Sequence, residues 1–339
     1  LATAALLACA PLQAAPAADT VPARQRVATT EAGKAIDKLV DDYYEAYARF
    51  EPVWATESGD GRFFDQLGLS IAPKNREAQF ALYRGYLKRL ASIPRERLNA
   101  HEQASYDIVK FELETALRLG AFPEHLLPLD QMFSMPTFIA NYAGGEGAQP
   151  FKTPKDYRNY LSRLDQMAPY IDQAIANMRE GVKRGIVHPR EPMQSLLPQL
   201  KQLVAAKAND SIFYSPIKNL PAGFSSADKR SLTDAYRKTI GDKLNPALKR
   251  LADYVEKDYL PKTRTTAGWN ALPNGAEWYK ARVAAMTTTD MTPEQIHAIG
   301  LKEVARIQGE YGKIGPKMGY TGPAAGLPKW VSEQPKYKP

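Results

Sequence analysis

A chain of 339 residues with 44% hydrophobic and 24% charged residues has the composition of a folded globular protein, which excludes a disordered one. The net charge of +8 arises from basic residues that are mixed with acidic ones along the chain. No basic arm or nucleic-acid motif is present, so the charge predicts a solvated basic surface and argues against nucleic-acid binding. A single cysteine, Cys9, excludes an internal disulfide.

The beginning of the chain, LATAALLACAPLQAAPAADT, carries no charge before Asp19 and is interrupted by prolines. It is too short to span a bilayer as a helix. We predict a front-clipped signal peptide or lipoprotein signal over 1–18, followed by a linker over 19–30. Cys9 follows ALLA, which is similar to a lipobox and predicts lipidation. The alternative is that Cys9 is an ordinary apolar residue of a signal cleaved further along. Both interpretations predict export, to the periplasm or to a lipid anchor in the bacterial envelope.

Apolar side chains then recur at three- and four-residue spacings, as expected for amphipathic helices with one face in a core. The first stripe consists of Ile36, Leu39, Val40, Tyr43, Tyr47 and Phe50. The second consists of Phe80, Tyr83, Tyr86, Leu87 and Leu90.

The sequence NAHEQAS places His101 before Glu102, as at the start of a zinc-peptidase motif. That motif needs a second histidine four residues after the first, and this position is Ser105. We therefore interpret Asn99 as a helix cap that Glu102 completes.

Further helix starts and breaks follow. Thr153 begins a helix with a hydroxyl cap and an adjacent proline, and Pro169 predicts a kink or restart within it. A long helical segment over 226–260 contains Pro246, where we expect a second kink. Thr292 begins the last helix in the same way as Thr153.

No alternating strand pattern of useful length occurs, so the predicted fold is all-α. It is a single large multi-helix body over 31–339 with long loops. The connections rich in proline and glycine are 51–74, 120–153, 186–195, 208–225 and 261–275. The connection at 120–153 is longer than a plain connector, and we expect it to cover another part of the protein.

The residues alone indicate no catalytic machinery. The four histidines stand far apart in the sequence, and none has a second histidine or a cysteine at metal-binding spacing: His101, His125, His188 and His297. We expect His297 on the surface or satisfied by a structural partner. The sequence also lacks a G-x-S-x-G elbow, a P-loop and a dinucleotide fingerprint.

The segment from Tyr259 onward contains a series of motifs similar to those of a known protein family. It reads YLPKTRTTAGWNALPNGAEWYKARVAAMTTTDMTPEQIHAIGLKEVARIQGEY. It closely resembles the bacterial domain-of-unknown-function family 885 in the order Y-L-P-x-x-R, G-x-x-x-L-P-x-G-x-x-x-Y, T-T and T-P-x-x-I-H-x-x-G-L-x-E-V-x-R-I. Earlier pieces also fit, so the resemblance covers roughly 35–339.

Members of that family are exported or lipid-anchored helical proteins and look like zinc metallopeptidases of the helical gluzincin type. Their His-Glu metal motif lies beyond the point that corresponds to the end of this chain. The resemblance implies the N-terminal half of an exported zinc metallopeptidase-like hydrolase, truncated at its C-terminal end. Zinc is expected for the full-length protein, whereas this chain alone supplies no metal ligand and is expected to be inactive. The alternative is a non-catalytic helical envelope or lipoprotein binding scaffold.

Three residues near the loop at 261–275 are substrate-binding candidates for a peptide-like substrate: Arg264, Asn274 and Tyr279. In helical peptidases an arginine at such a loop grips a peptide carboxylate, and a tyrosine donates to the oxyanion. The alternative is that Arg264 pairs with a helix acid and that Tyr279 lies in the core. Trp269 and Trp278 are expected to serve packing. The membrane is expected as a partner only through the lipid anchor.

The last helix, over about 292–315, is expected to present an apolar face to the missing half. Without that half, we expect a contiguous exposed patch. The face consists of Ile296, Ile299, Val304 and Ile307, with Gly300 permitting close approach of another helix.

Overall fold

The computed structural model describes residues 30–338. Within this range the protein is all-α, without strands, and an isolated bridge joins Pro189 to Arg264. The predicted fold class is therefore confirmed. The predictions for Cys9 and for the signal over 1–18 lie outside the described residues. The chain divides into two compact units, Leu1–Pro273 and Asn274–Pro339. This division falls inside the domain predicted over 31–339, whose boundaries stay a prediction.

The first unit is built from helices of very different length. They are α1 (Glu31–Ala48), α2 (Pro52–Glu57), α3 (Pro73–Ala91), α4 (Ala100–Gly120), α5 (Met135–Gly144), α6 (Pro154–Lys183), α7 (Arg190–Leu203), α8 (Ser215–Lys218), α9 (Ser226–Thr239) and α10 (Asn245–Tyr254). The second unit contains α11 (Gly275–Thr287), α12 (Pro293–Ile314) and α13 (Leu327–Glu333).

Helix α6 is the centre of the larger core and packs against α9 and α10. Thr153 accepts a hydrogen bond from the backbone of Asp156, whose carboxylate accepts one from the backbone of Thr153, so the predicted start is a full capping box. Buried side chains occur along the length of α6, including Tyr160 and Leu164, so one face of the helix lies in the core from its first turns to its last.

Helices α1, α3 and α4 enclose a second, smaller core. Asn99 and Glu102 form the capping box predicted for α4, which supports the structural interpretation of the His-Glu pair. Glu102 is 3% exposed, and its Oε2 also accepts from Thr30 Oγ at 3.0 Å, which joins the starts of α1 and α4. A Cβ at Gly33 would lie 1.9 Å from Glu102 Oε1, so only glycine permits this approach.

Two predictions of local structure need correction, whereas near Pro246, where the sequence predicts a kink, the helix is irregular. Short helices occupy much of the predicted connections, because α2, α5 and α8 lie within them and α7 begins at Arg190. Helix α6 continues through Pro169 without restarting, since packing along its whole length holds it together. Near Pro246 the chain forms a π-helical turn over Ile240–Leu244 before α10, which accommodates the proline that an α-helical turn disfavours.

In the second unit, α12 has no buried residue. It begins with the predicted cap at Thr292, which exchanges hydrogen bonds with Gln295. Large apolar side chains on α12 are exposed, among them Ile299, Val304 and Ile307.

Candidate functional site

Arg264 lies where the 261–275 segment crosses the segment before α7. The backbone N–H of Arg264 donates to His188 O at 3.1 Å, and its carbonyl accepts from Arg190 N at 2.9 Å. These two bonds form the bridge between Arg264 and Pro189. They fix the backbone of Arg264 against a second segment, and so define where its side chain begins.

The guanidinium of Arg264 bonds to backbone carbonyls instead of to a helix acid. Its Nε donates to Val187 O at 3.1 Å, and its Nη1 donates to Gly268 O at 2.8 Å and to Thr266 O. Burial lowers the pKa of Arg264, although an arginine stays charged at neutral pH. Among the described residues Nη2 has no hydrogen-bond partner, so it is the guanidinium nitrogen that could donate to a further acceptor.

His188 lies beside Arg264 and is largely enclosed. Its backbone N–H donates to Tyr259 Oη at 3.0 Å, and its ring packs edge-on against Tyr259. Burial lowers the pKa of His188 to about 4; Asp130 and a hydrogen bond to the backbone of Leu127 raise this pKa slightly, and the charge of Arg264 lowers it further. The imidazole is therefore neutral at pH 7. Its Nε2 is buried and finds no acceptor or donor within residues 30–338.

In the sequence, His188 stands as an isolated histidine. Its proximity to Tyr259 and Arg264 depends on the crossing of two segments that are distant in the sequence, and no residue spacing predicts that crossing. The motif Y-L-P-x-x-R, which contains both Tyr259 and Arg264, is the signal that pointed to this neighbourhood.

The other two predicted substrate-binding residues belong to the second unit. Asn274 precedes α11 in a left-handed conformation (φ 54°), which asparagine tolerates better than most residues. Its side chain makes no capping bond, but its carbonyl accepts from Trp278 N at 3.1 Å. Tyr279 is 46% exposed and thus does not lie in the core, whereas Trp278 is fully buried. Trp278 therefore serves packing, as predicted.

The histidines fall into two classes. His125 and His188 are largely enclosed, and burial lowers the pKa of each to about 4. His101 and His297 are exposed, in agreement with the surface position expected for His297. Across residues 30–338, no three His, Cys, Asp or Glu side chains are grouped in a way that could hold a metal ion. In the same range, no helix has the length and apolar character needed to cross a membrane.

Comparisons with known proteins agree with the resemblance in the sequence. The sequence profile of the family described as "Bacterial protein of unknown function (DUF885)" matches residues 52–339. No curated protein matches the chain. The fold is similar to a crystal structure described as "the putative lipoprotein from Colwellia psychrerythraea", with a TM-score of 0.72 and 18% sequence identity. The match covers 90% of this chain but only 55% of that one, and at this identity it shows the fold alone.

Proposed function

Because this chain belongs to the bacterial protein family DUF885, we propose that it is the cleft-shaping part of an exported zinc metallopeptidase-like hydrolase. In this proposal the zinc ligands come from a further polypeptide segment of the same protein. No residue of this chain is assigned as a ligand.

The observation that carries the proposal is the exposed apolar surface of α12. Ile299, Leu301 and Val304 are 48%, 61% and 53% exposed, and Ile307 and Ile314 are also exposed. Soluble proteins rarely leave so many large apolar side chains uncovered on one helix, and such surfaces mark interaction sites. A helical segment that covers this face would continue the all-α architecture. The match spans 55% of the similar solved structure, so that protein contains further polypeptide to which such a segment could correspond.

Three residues are assigned to the substrate in this proposal. Arg264 offers Nη2 to a carboxylate or carbonyl oxygen of a peptide-like substrate, because its other nitrogens are engaged by the backbone. Tyr279 has an exposed side chain whose hydroxyl can donate to an oxyanion, and Asn274 lies at the start of the same helix. Zinc, when bound by the further segment, would supply a polarised water for attack on a carbonyl.

Export and lipidation at Cys9 form the second part of the proposal. The description of the similar solved structure as a lipoprotein supports it. Radiolabelled palmitate should enter the protein in cells and should be absent from Cys9→Ser. Equal labelling of the two proteins contradicts lipidation at this residue.

The product of the entire natural reading frame provides the test. We expect one tightly bound zinc per chain by elemental analysis after dialysis, and cleavage of a quenched fluorescent peptide library that stops when zinc is chelated. Val304→Asp should weaken both properties by disturbing the covered face, whereas Lys302→Asp, on the exposed polar side of α12, should weaken neither. A full-length product that binds no zinc, or that cleaves no peptide with zinc present, refutes the proposal.

The geometry of Arg264 favours one second candidate, a non-catalytic envelope binding scaffold. Its guanidinium already holds three backbone carbonyls, as expected for a structural arginine. Under this alternative, the zinc and cleavage measurements fail, while the full-length protein remains folded and monodisperse.

A further inference from the structure

Arg163 is a fully buried cation on α6 that bonds only to neutral groups. Its Nε donates to Gln66 O at 3.0 Å. Its Nη2 donates to Phe63 O at 2.8 Å and to Thr56 Oγ. Within residues 30–338 the guanidinium forms no ion pair, although the side chain is completely removed from solvent.

Two carboxylates act near Arg163, but neither bonds to it. Asp65 affects its charge only electrostatically. Glu57 accepts a hydrogen bond from Tyr142 Oη at 2.6 Å, and the ring centroid of Tyr142 lies 5.4 Å from Arg163 Cζ. Burial lowers the pKa of Arg163, although an arginine stays charged at neutral pH. Buried charges are normally paired with a charge of opposite sign, so these surroundings favour an anion.

Two buried polar groups in this region have no partner within the described part of the chain. The first is Nη1 of Arg163, the guanidinium nitrogen that the fold does not use. The second is the amide of Gln149, which is 7% exposed and whose Nε2 and Oε1 are both buried. Buried donors normally have an acceptor, so these two side chains point to a molecule outside the chain.

Contacts on either side of Gln149 place it beside Arg163. The glycine two residues earlier lies so close to Tyr142 that an added Cβ would be 2.6 Å from Cε1 of that ring. Two residues later, the ring centroid of Phe151 lies 5.2 Å from that of Tyr160. Tyr160 lies one turn before Arg163 on α6, and Tyr142 faces its guanidinium. The two unpartnered groups therefore belong to one enclosed region.

We propose that Arg163 and Gln149 bind a small monovalent inorganic anion such as chloride, with Arg163 Nη1 and Gln149 Nε2 as its donors. An anion compensates the buried charge of the guanidinium, which a water molecule does not. Thr56 and Tyr142, which contact the guanidinium, are also buried, so the enclosure selects a small ion over an organic acid. The ion would stabilise the junction between α6 and the segment before α3, because it binds only where these elements meet.

Bromide is the direct probe, because it replaces chloride and is identified in a crystal by its anomalous X-ray scattering. We expect crystals of the unchanged protein soaked in sodium bromide to show an anomalous peak beside Arg163 Nη1 and the Gln149 amide. Ordered water there, without anomalous signal, overturns the proposal. This measurement needs no variant, so it decides even if a substitution in the core prevents folding.

Chloride binding in solution is measured by the broadening of the ³⁵Cl resonance in a sodium sulfate background, with bromide as the competitor. Gln149→Leu removes one donor while keeping the side-chain size, and should weaken chloride binding about tenfold. Gln202→Leu is the matched control, since Gln202 is exposed on α7, and it should bind chloride as the unchanged protein does. Equal chloride affinity of the two variants overturns the proposal.

Discussion

Helices α6 and α12 begin with the same local sequence pattern, but α6 is largely buried and α12 is exposed. Each starts with threonine and proline, and each threonine forms a capping box with the residue three positions later. Helix α6 buries a side chain on every turn in the first unit, whereas α12 in the second unit buries none.

The difference shows which information lies in the local sequence. Capping and apolar spacing determine that a helix forms and where it begins. They do not determine what covers its apolar face, because that depends on residues far away in the chain or outside it. The same contrast supports the proposal that a further segment packs on α12.

Matched leucine truncations test this contrast most strongly. Leu164 of α6 is fully buried, and Leu164→Ala should lower the free energy of unfolding by about 3 kcal/mol through lost burial and a remaining cavity. Leu301 of α12 is 61% exposed, so Leu301→Ala should change it by no more than about 0.5 kcal/mol. Urea denaturation measures both. A large effect of Leu301→Ala would show that α12 is covered in solution.

The enclosed histidines predict an acid sensitivity of the first unit. In the unfolded chain His125 and His188 bind protons near their ordinary pKa of 6.5, but in the native protein only near a pKa of about 4. The unfolded state therefore binds more protons between these values, and the free energy of unfolding falls as the pH falls from 6.5 to 4. We expect a total loss of roughly 2 kcal/mol, since both side chains are partly screened by solvent.

Urea denaturation at a series of pH values checks this prediction. His188→Asn keeps a donor for the backbone of Leu127 and removes one of the two titrating rings, so it should reduce the pH dependence to the part that His125 contributes. His297→Asn, at an exposed position on α12, should leave it unchanged. An equally steep loss in His188→Asn would contradict the assignment.

Substitutions of Arg264 and Arg306 compare an arginine that is hydrogen-bonded to the backbone with one that is exposed to solvent. Arg264→Met removes donors from three backbone carbonyls and should lower the free energy of unfolding by about 1–2 kcal/mol. Arg306→Met removes only a solvent-exposed pair with Glu303 on α12 and should leave the free energy of unfolding unchanged, because solvent screens such a pair. Thermal melts followed by circular dichroism measure both. An unchanged melt of Arg264→Met would favour a substrate-binding role over a structural one.

The sequence predicted the class of the fold and the helix starts because these depend on nearby residues. The caps at Asn99, Thr153 and Thr292 follow from three-residue patterns, and the structure has all of them. What a proline does within a helix depends on more than the neighbouring residues. At Pro169 and Pro246 the outcome depends on tertiary packing and on a π-helical adjustment, and neither can be read from the neighbouring residues.

The candidate sites were harder to predict for the same physical reason. The sequence motif pointed to Arg264, but its hydrogen bonds to Val187 and Gly268 require the crossing of two segments. Tyrosine fits an apolar stripe as well as leucine does, so periodicity could not reveal that the rings of Tyr47 and Tyr83 lie beside each other. Only the packing of α1 against α3 shows this arrangement.

The two capping boxes offer the smallest and most direct test of the comparison. Thr153 Oγ accepts from Asp156 N at 3.3 Å, and Thr292 Oγ accepts from Gln295 N at 3.2 Å. Because the local geometry is the same, Thr153→Ala and Thr292→Ala should each cost about 1 kcal/mol of helix stability. In α6 the core holds the first turn in place, so amide exchange there should rise little. In α12 the loss should appear as faster exchange in the first turn, by about fivefold. Equal exchange in the two variants would mean that α12 is supported by contacts as extensive as those of α6.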